Sequence, residues 1–126
     1  MGVAHHSRHV AWMEVGRVEL MRAAGISYAQ LEKDGVSLPL VNLELRYRAA
    51  VRFDDLVEIE TCVENCTRVR VGFTYRLTRV EDQLLLATGR TDHAAVGLDL
   101  RPVRLPEPLR QIMAGSKTFA AMGEQC

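Results

Sequence analysis

Three histidines and a carboxylate, His5, His6, His9 and Glu14, crowd the first fourteen residues of the chain. The stretch Gly2-Val3-Ala4-His5-His6-Ser7-Arg8-His9-Val10-Ala11-Trp12-Met13-Glu14 reads as a glycine-containing loop, a histidine, and then an amphipathic helix. A helix N-terminus gathers unpaired backbone N–H groups and the positive end of the dipole, so it can steady a developing oxyanion. Chemistry of that kind suits an activated acyl group. His6, at the helix start, is the first candidate, with a capping or solvated histidine as the competing reading. Gly2 and Val3 would let the backbone approach the acyl group closely.

Glu14 is the carboxylate nearest the start of the helix and so a candidate catalytic group. It lies two turns beyond His6, about 12 Å along the axis at 1.5 Å per residue, and an ion pair with Arg17 is the competing role. His5 and His9, four apart, also have the spacing of metal ligands, with His6 and His93 to complete a set. A histidine cluster at a helix start has simpler explanations in capping and solvation, and no metal is expected.

The helical period runs from about Ser7 to Ala24, with Trp12, Met13, Gly16, Leu20, Ala23 and Ala24 on one face. The opposite face is interrupted by Val15, Val18 and Met21, which predicts a helix covered on most sides. Gly25 is a natural stop, and Ser27-Tyr28-Ala29-Gln30 resembles a capping box opening a short helix that ends near Gly35. The period then becomes two, in runs Val41–Tyr47, Val57–Glu64, Val69–Thr78 and Gln83–Leu98, as half-buried antiparallel strands require. Gly72 and Gly89 inside strands predict a bulge or a closely packed helix. One long helix followed by a four-stranded meander is an α+β fold, with the sheet packed around the helix. Residues 1–126 form a single domain on this reading, with a loosely held tail from about 114.

Composition narrows the classes. Sixteen basic residues balance sixteen acidic ones, which argues against binding nucleic acid by phosphate neutralisation. Cys62, Cys66 and Cys126 are odd in number and suit reduced thiols, so a cytoplasmic location is expected. No run approaches the roughly 18 apolar residues of a membrane span.

At this point the residues resemble the hotdog fold, in its acyl-CoA thioesterase branch that includes 4-hydroxybenzoyl-CoA thioesterase. Met1 to His6 matches the end of that branch's aspartate-x-x-glycine-valine…histidine loop, and Trp12 to Glu19 matches its helix. Gly25-Ile26-Ser27-Tyr28, Leu38-Pro39-Leu40-Val41, Tyr47 and Arg52-Phe53-Asp54-Asp55 follow at family-like intervals. Gly89-Arg90-Thr91-Asp92-His93 and Pro102-Val103-Arg104-Leu105-Pro106 complete the match.

The resemblance implies hydrolysis of an acyl thioester to a free acid and coenzyme A, with no cofactor. It implies that the His6 backbone N–H polarises the thioester carbonyl while its ring positions substrate or water, and that Glu14 could serve as base or nucleophile, as a helix glutamate does in other hotdog thioesterases. It implies a homodimer or homotetramer with the acyl group in a tunnel between subunits. Asp54 would border the site across the dimer, and Arg90, Arg101 and Arg104 would meet the phosphates of coenzyme A. The family's aspartate would fall two positions before Met1, and its first strand precedes that, so the expectation is a start downstream of the native one. The alternative is a non-enzymatic or inactive protein that binds acyl thioesters without that aspartate. His5 stands where a tyrosine is common, and Ala50 where proline is usual, which should loosen a turn.

Overall fold

The computed structural model describes residues 6–52, 54–107, 110–111 and 118–123. The expectations placed on Gly2, Val3 and His5 lie outside the described residues, as does the ring of His6.

Helix α1 runs His6–Ala23 and α2 runs Tyr28–Lys33. Both stop for the same physical reason. Gly25 (φ 82°) and Gly35 (φ 76°) take the left-handed conformation that costs a glycine nothing. Around Gly25 the amides of Gly25 and Ile26 bond back to Arg22 O and Met21 O, both at 2.9 Å. Around Gly35 the amides of Gly35 and Val36 reach Glu32 O at 3.0 Å and Leu31 O at 2.9 Å. Each is a Schellman closure, and buried Ile26 supplies the apolar contact after the first. Ser27 caps α2, its hydroxyl accepting from Gln30 N at 3.4 Å.

Strands β1 (Leu40–Tyr47), β2 (Val57–Cys66), β3 (Arg70–Arg79), β4 (Leu85–Ala94) and β5 (Thr118–Gly123) form one antiparallel sheet in the order β1-β4-β3-β2-β5. The alternation in the sequence sets which way each strand faces. Val57, Ile59, Thr61 and Val63 of β2, with Val71, Phe73, Tyr75 and Leu77 of β3, are buried. Helix α1 packs against β2, β3 and β5, with Trp12, Met13, Leu20 and Met21 buried. Ala23, expected on that inner face, is exposed, whereas Met21, expected on the opposite face, is buried.

Two strand glycines explain themselves. Gly89 of β4 lies under Met13, whose sulfur occupies the space a Cβ would need. Gly72 of β3 lies on the opposite face, 2.8 Å from Arg90 Nη2 and 2.9 Å from Asp92 Oδ1 measured from where its Cβ would stand. The register of β2 against β3 also shifts between Val63 and Asn65, which pairs with Gly72.

Two sequence expectations change. The fourth run stops as a strand at Ala94, with Val96 making only single bridges to Ser37 and Pro102. The stretch expected as a loose tail includes β5, whose residues 118–123 pair with Cys62 back to Val57 along β2. β5 closes that side of the sheet, leaving β1 as its other edge.

Candidate active site at the start of helix α1

The first turns of α1 carry an aromatic cluster against β1. His9, only 2% exposed, packs edge-on to Trp12 (centroids 5.3 Å apart) and to Tyr47 of β1 (4.9 Å). The Arg8 guanidinium lies 5.8 Å from the Trp12 ring centroid. Trp12 itself sits on a small core of Val51, Val57, Ile59, Leu77, Leu86 and Ala87. That core fixes the axis of α1, and so the direction of its N-terminal amides. Tyr47 is half exposed on the edge strand, where Leu40, Val41 and Leu43 are also exposed. The helix start therefore meets an apolar strand edge that is unpaired among the described residues.

The connection from β1 to β2 is fixed by one arginine. Arg79 Nε pairs with Asp55 Oδ2 at 3.1 Å, Nη1 with Asp82 at 3.1 Å, and Nη2 donates to Ala50 O at 3.1 Å. Asp55 Oδ2 also accepts from Arg52 N at 2.8 Å. The turn expected to loosen for want of proline at Ala50 is thus held by Arg79. Asp55 is the structural member of the acidic pair, whereas Asp54 is exposed.

The remaining candidates disperse. Glu14 is exposed, on the side of α1 away from the sheet, in an open groove of about 330 Å³ with Ala11, Val15, Val18 and Glu19. The expected Glu14–Arg17 pair does not form; Arg17 Nε donates instead to Tyr28 OH at 2.9 Å. Arg90 lies on the sheet face opposite α1, paired with Asp92 at 2.9 Å and Glu64 at 3.3 Å. These partners, Asp92 foremost, raise its pKa. Arg101 pairs with Asp99 at 3.6 Å. Arg104 is exposed, and Leu105 N bonds to Arg68 O at 2.8 Å, so Arg68 lies alongside it. His93, weighed as a metal ligand, is buried with both ring nitrogens engaged. Among the described residues no group of three His, Cys, Asp or Glu could hold a metal ion.

The sequence reading passed over two members of this cluster. His9 entered it only as a metal ligand, and Tyr47 only as one residue of a strand run and of a match. Their signal was spacing: His9 is one turn ahead of Trp12 and Met13, on the buried stripe.

A family description for the thioesterase-like superfamily matches residues 1–113. The chain belongs to the thioesterase-like superfamily. A Synechocystis relative provisionally named an esterase is 32% identical over 95 residues, 75% of this chain and 57% of that protein. The acyl-CoA thioester hydrolase YbgC of Escherichia coli is 28% identical over 108 residues, 86% of this chain and 81% of that protein. The solved structure of the DHNA-CoA thioesterase of Staphylococcus aureus superposes with a TM-score of 0.83. The two are 30% identical, and the match covers 90% of this chain and 81% of the other. The chain spans little more than half the length of two curated relatives, 57% and 56%. The fold is the hotdog fold that the resemblance implied, α+β with a long helix against an antiparallel sheet.

Proposed function

We propose that this chain hydrolyses an acyl-CoA thioester to the free acid and coenzyme A. The observation that carries the reading is the meeting of the α1 N-terminus with the half-exposed Tyr47 on an open strand edge. Amide groups at a helix start favour the oxyanion over the ground-state carbonyl, which is what lowers the barrier to thioester cleavage. His6 heads that helix. Superfamily membership supports the same chemistry.

The working unit is a homodimer formed along β1, or a homotetramer built from it. An unpaired edge with Leu40, Val41 and Leu43 exposed favours pairing with a second copy, which would roof the acyl group over Tyr47. Water is activated by a carboxylate. The resemblance gives the role to an aspartate of the family's loop, while Glu14 faces away from the aromatic cluster and suits the role poorly. Gly2 and Val3 line the acyl group, and Asp54 borders the site from the partner. Arg104, joined by Arg68, receives the phosphates of coenzyme A, a role for which Arg90 is poorly placed. The free thiols Cys62 and Cys66 suit a reducing cytoplasm. No helix among the described residues is long and apolar enough to cross a membrane.

The test is release of free thiol from a panel of aryl-CoA and fatty acyl-CoA thioesters, on this chain and on one extended upstream. Turnover by either version supports hydrolysis. Saturable binding without turnover by both would replace the enzyme with a thioester-binding protein.

A further inference from the structure

We propose that edge strand β1 pairs with β1 of a second copy in a single register, its two-fold axis at Leu45, so that the partner subunit's Leu43 lies against Tyr47 and walls the acyl site. The register rests on the reading of β1 as the dimer edge, and it names what the second copy brings to the site.

The backbone narrows the choice first. Arg48 N bonds to Leu86 O at 2.8 Å, and Arg46 and Glu44 stand opposite Thr88 and Arg90 of β4. Bonded pairs alternate along an antiparallel ladder, so Glu44 and Arg46 turn their backbone groups to β4, and Leu43, Leu45 and Tyr47 turn theirs to the open edge. The side chains alternate as well. Leu43, Leu45 and Tyr47 lie opposite Thr91, Gly89 and Ala87 on the face that carries α1. Asn42, Glu44 and Arg46 share the outer face with Asp92, Arg90 and Thr88. A second β1 continues the sheet only where outward amides meet outward amides and inner side chains meet inner ones. A slip of one residue sets each apolar residue against a polar one.

Charge selects among the registers that remain. With the axis at Leu45, Glu44 stands opposite the partner's Arg46, and Arg46 opposite the partner's Glu44. These are non-hydrogen-bonded positions, where facing side chains come closest. A slip of two residues one way sets Glu44 against the partner's Glu44; the other way, it sets Arg46 against the partner's Arg46. A slip of four residues gives Glu44 only the partner's Asn42, or sets Arg46 against the partner's Arg48. Both charges are available for pairing. Arg46 is exposed and enters no ion pair among the described residues. Arg90, opposite Glu44, already holds Asp92 at 2.9 Å and Glu64 at 3.3 Å.

On the inner face the same register joins Tyr47 to the partner's Leu43, while Leu45 meets its own copy on the axis. Leu43 and Tyr47 are both exposed in the single chain, as apolar residues awaiting cover are. Tyr47 already packs edge-on against His9, which in turn meets Trp12. The partner subunit's Leu43 therefore extends the aromatic cluster across the strand edge with an aliphatic side chain. Each site then takes α1 and Tyr47 from one chain and Leu43 from the other.

The test is the dimer dissociation constant of the full chain by sedimentation, for the natural protein, Glu44→Arg, Arg46→Glu, an equimolar mixture of those variants, and Leu43→Pro. Each charge variant faces like charges across its own dimer and should dissociate about tenfold more readily. In the mixture every facing pair is of opposite sign, so a heterodimer of near-natural affinity should form. Leu43→Pro removes an outward amide and blocks edge pairing in every register, while the bonds to β4 stay. A dimer that Leu43→Pro dissolves but the charge variants leave intact, or a mixture no tighter than its components, would overturn the register alone. A monomeric natural chain, or a dimer that survives Leu43→Pro, would overturn β1 as the edge and the register with it. Should a variant fail to fold, isotope-filtered NOE spectra of natural dimers mixed from two differently labelled copies decide. Contacts between Leu43 methyls and the partner's Tyr47 ring support the register, and their absence in an intact dimer sinks it.

Discussion

The hydroxyl of Thr61 on β2 lies directly under Gly16 of α1, where a Cβ at position 16 would collide with it and stand 2.7 Å from Ile59 Cγ2. Thr61 is fully buried, with Ile59 and Val63 buried on the same face of β2. Only glycine allows the helix this near the sheet. Gly16→Ala should therefore cost about 1–3 kcal/mol, as overpacking of a dense core does. Urea denaturation checks it. Thr61→Ala in the same chain should recover part of the loss, whereas strict additivity of the two changes would show that the contact does not govern the packing.

Asp54 and Asp55 are chemically identical neighbours with different work. Asp55 joins Arg79 to the amide of Arg52, closing the connection between β1 and β2. Asp55→Ala should lower the melting midpoint by several degrees, and Asp54→Ala should leave it within a degree or so. If Asp54 borders the active site across a dimer, its removal changes KM or kcat without changing stability. Scanning calorimetry alongside steady-state kinetics separates the two roles.

How far the sequence carried is clearest at particular residues. Gly25, Ser27 and Gly35 announced both helix ends, because capping depends on one residue's backbone freedom or one hydroxyl. Strand alternation announced which residues of β2 and β3 are buried. The fate of Arg17 was not legible: a helix pattern offers it Glu14, but Tyr75, fifty-eight positions later, comes near only once β3 is laid against α1. The pairing of Arg90 was legible only in part. Asp92 lies two positions on, the same-face neighbour in a strand, and Glu64 arrives from β2. β5 gave little signal because Thr118–Gly123 has few of the branched and aromatic residues that mark a strand.

Acid should find the outer face of the sheet at Asp92. Burial alone would raise its pKa, but hydrogen bonds from Arg90 and Asn42 outweigh burial and hold it below the usual carboxylate value. A carboxyl with a depressed folded pKa contributes stability that is present above its unfolded value, about 3.9, and is lost as pH falls through the folded one. The stability curve should thus steepen below about pH 4, and Asp92→Asn should flatten that limb while lowering stability near neutrality. An unchanged acid limb in the variant would show that the Arg90 pair contributes nothing to the pH dependence.

Trp12 offers the most direct reading of the proposed site, because it is the only tryptophan and is packed between His9 and the Trp12-facing guanidinium of Arg8. A non-hydrolysable acyl-CoA thioether that settles over Tyr47 perturbs His9, one ring away, and through it the indole. Titration should therefore change Trp12 emission in a saturable way. Tyr47→Ala removes the half-exposed ring and should weaken binding by about tenfold, equivalent to about 1.4 kcal/mol, in the range expected for a lost aromatic contact. Arg104→Ala should weaken the thioether but leave the free carboxylic acid of the same acyl group unaffected, since only the former carries phosphates. Emission that responds equally to coenzyme A and to the thioether would move the acyl group away from the start of α1, because binding would then owe nothing to the aromatic cluster.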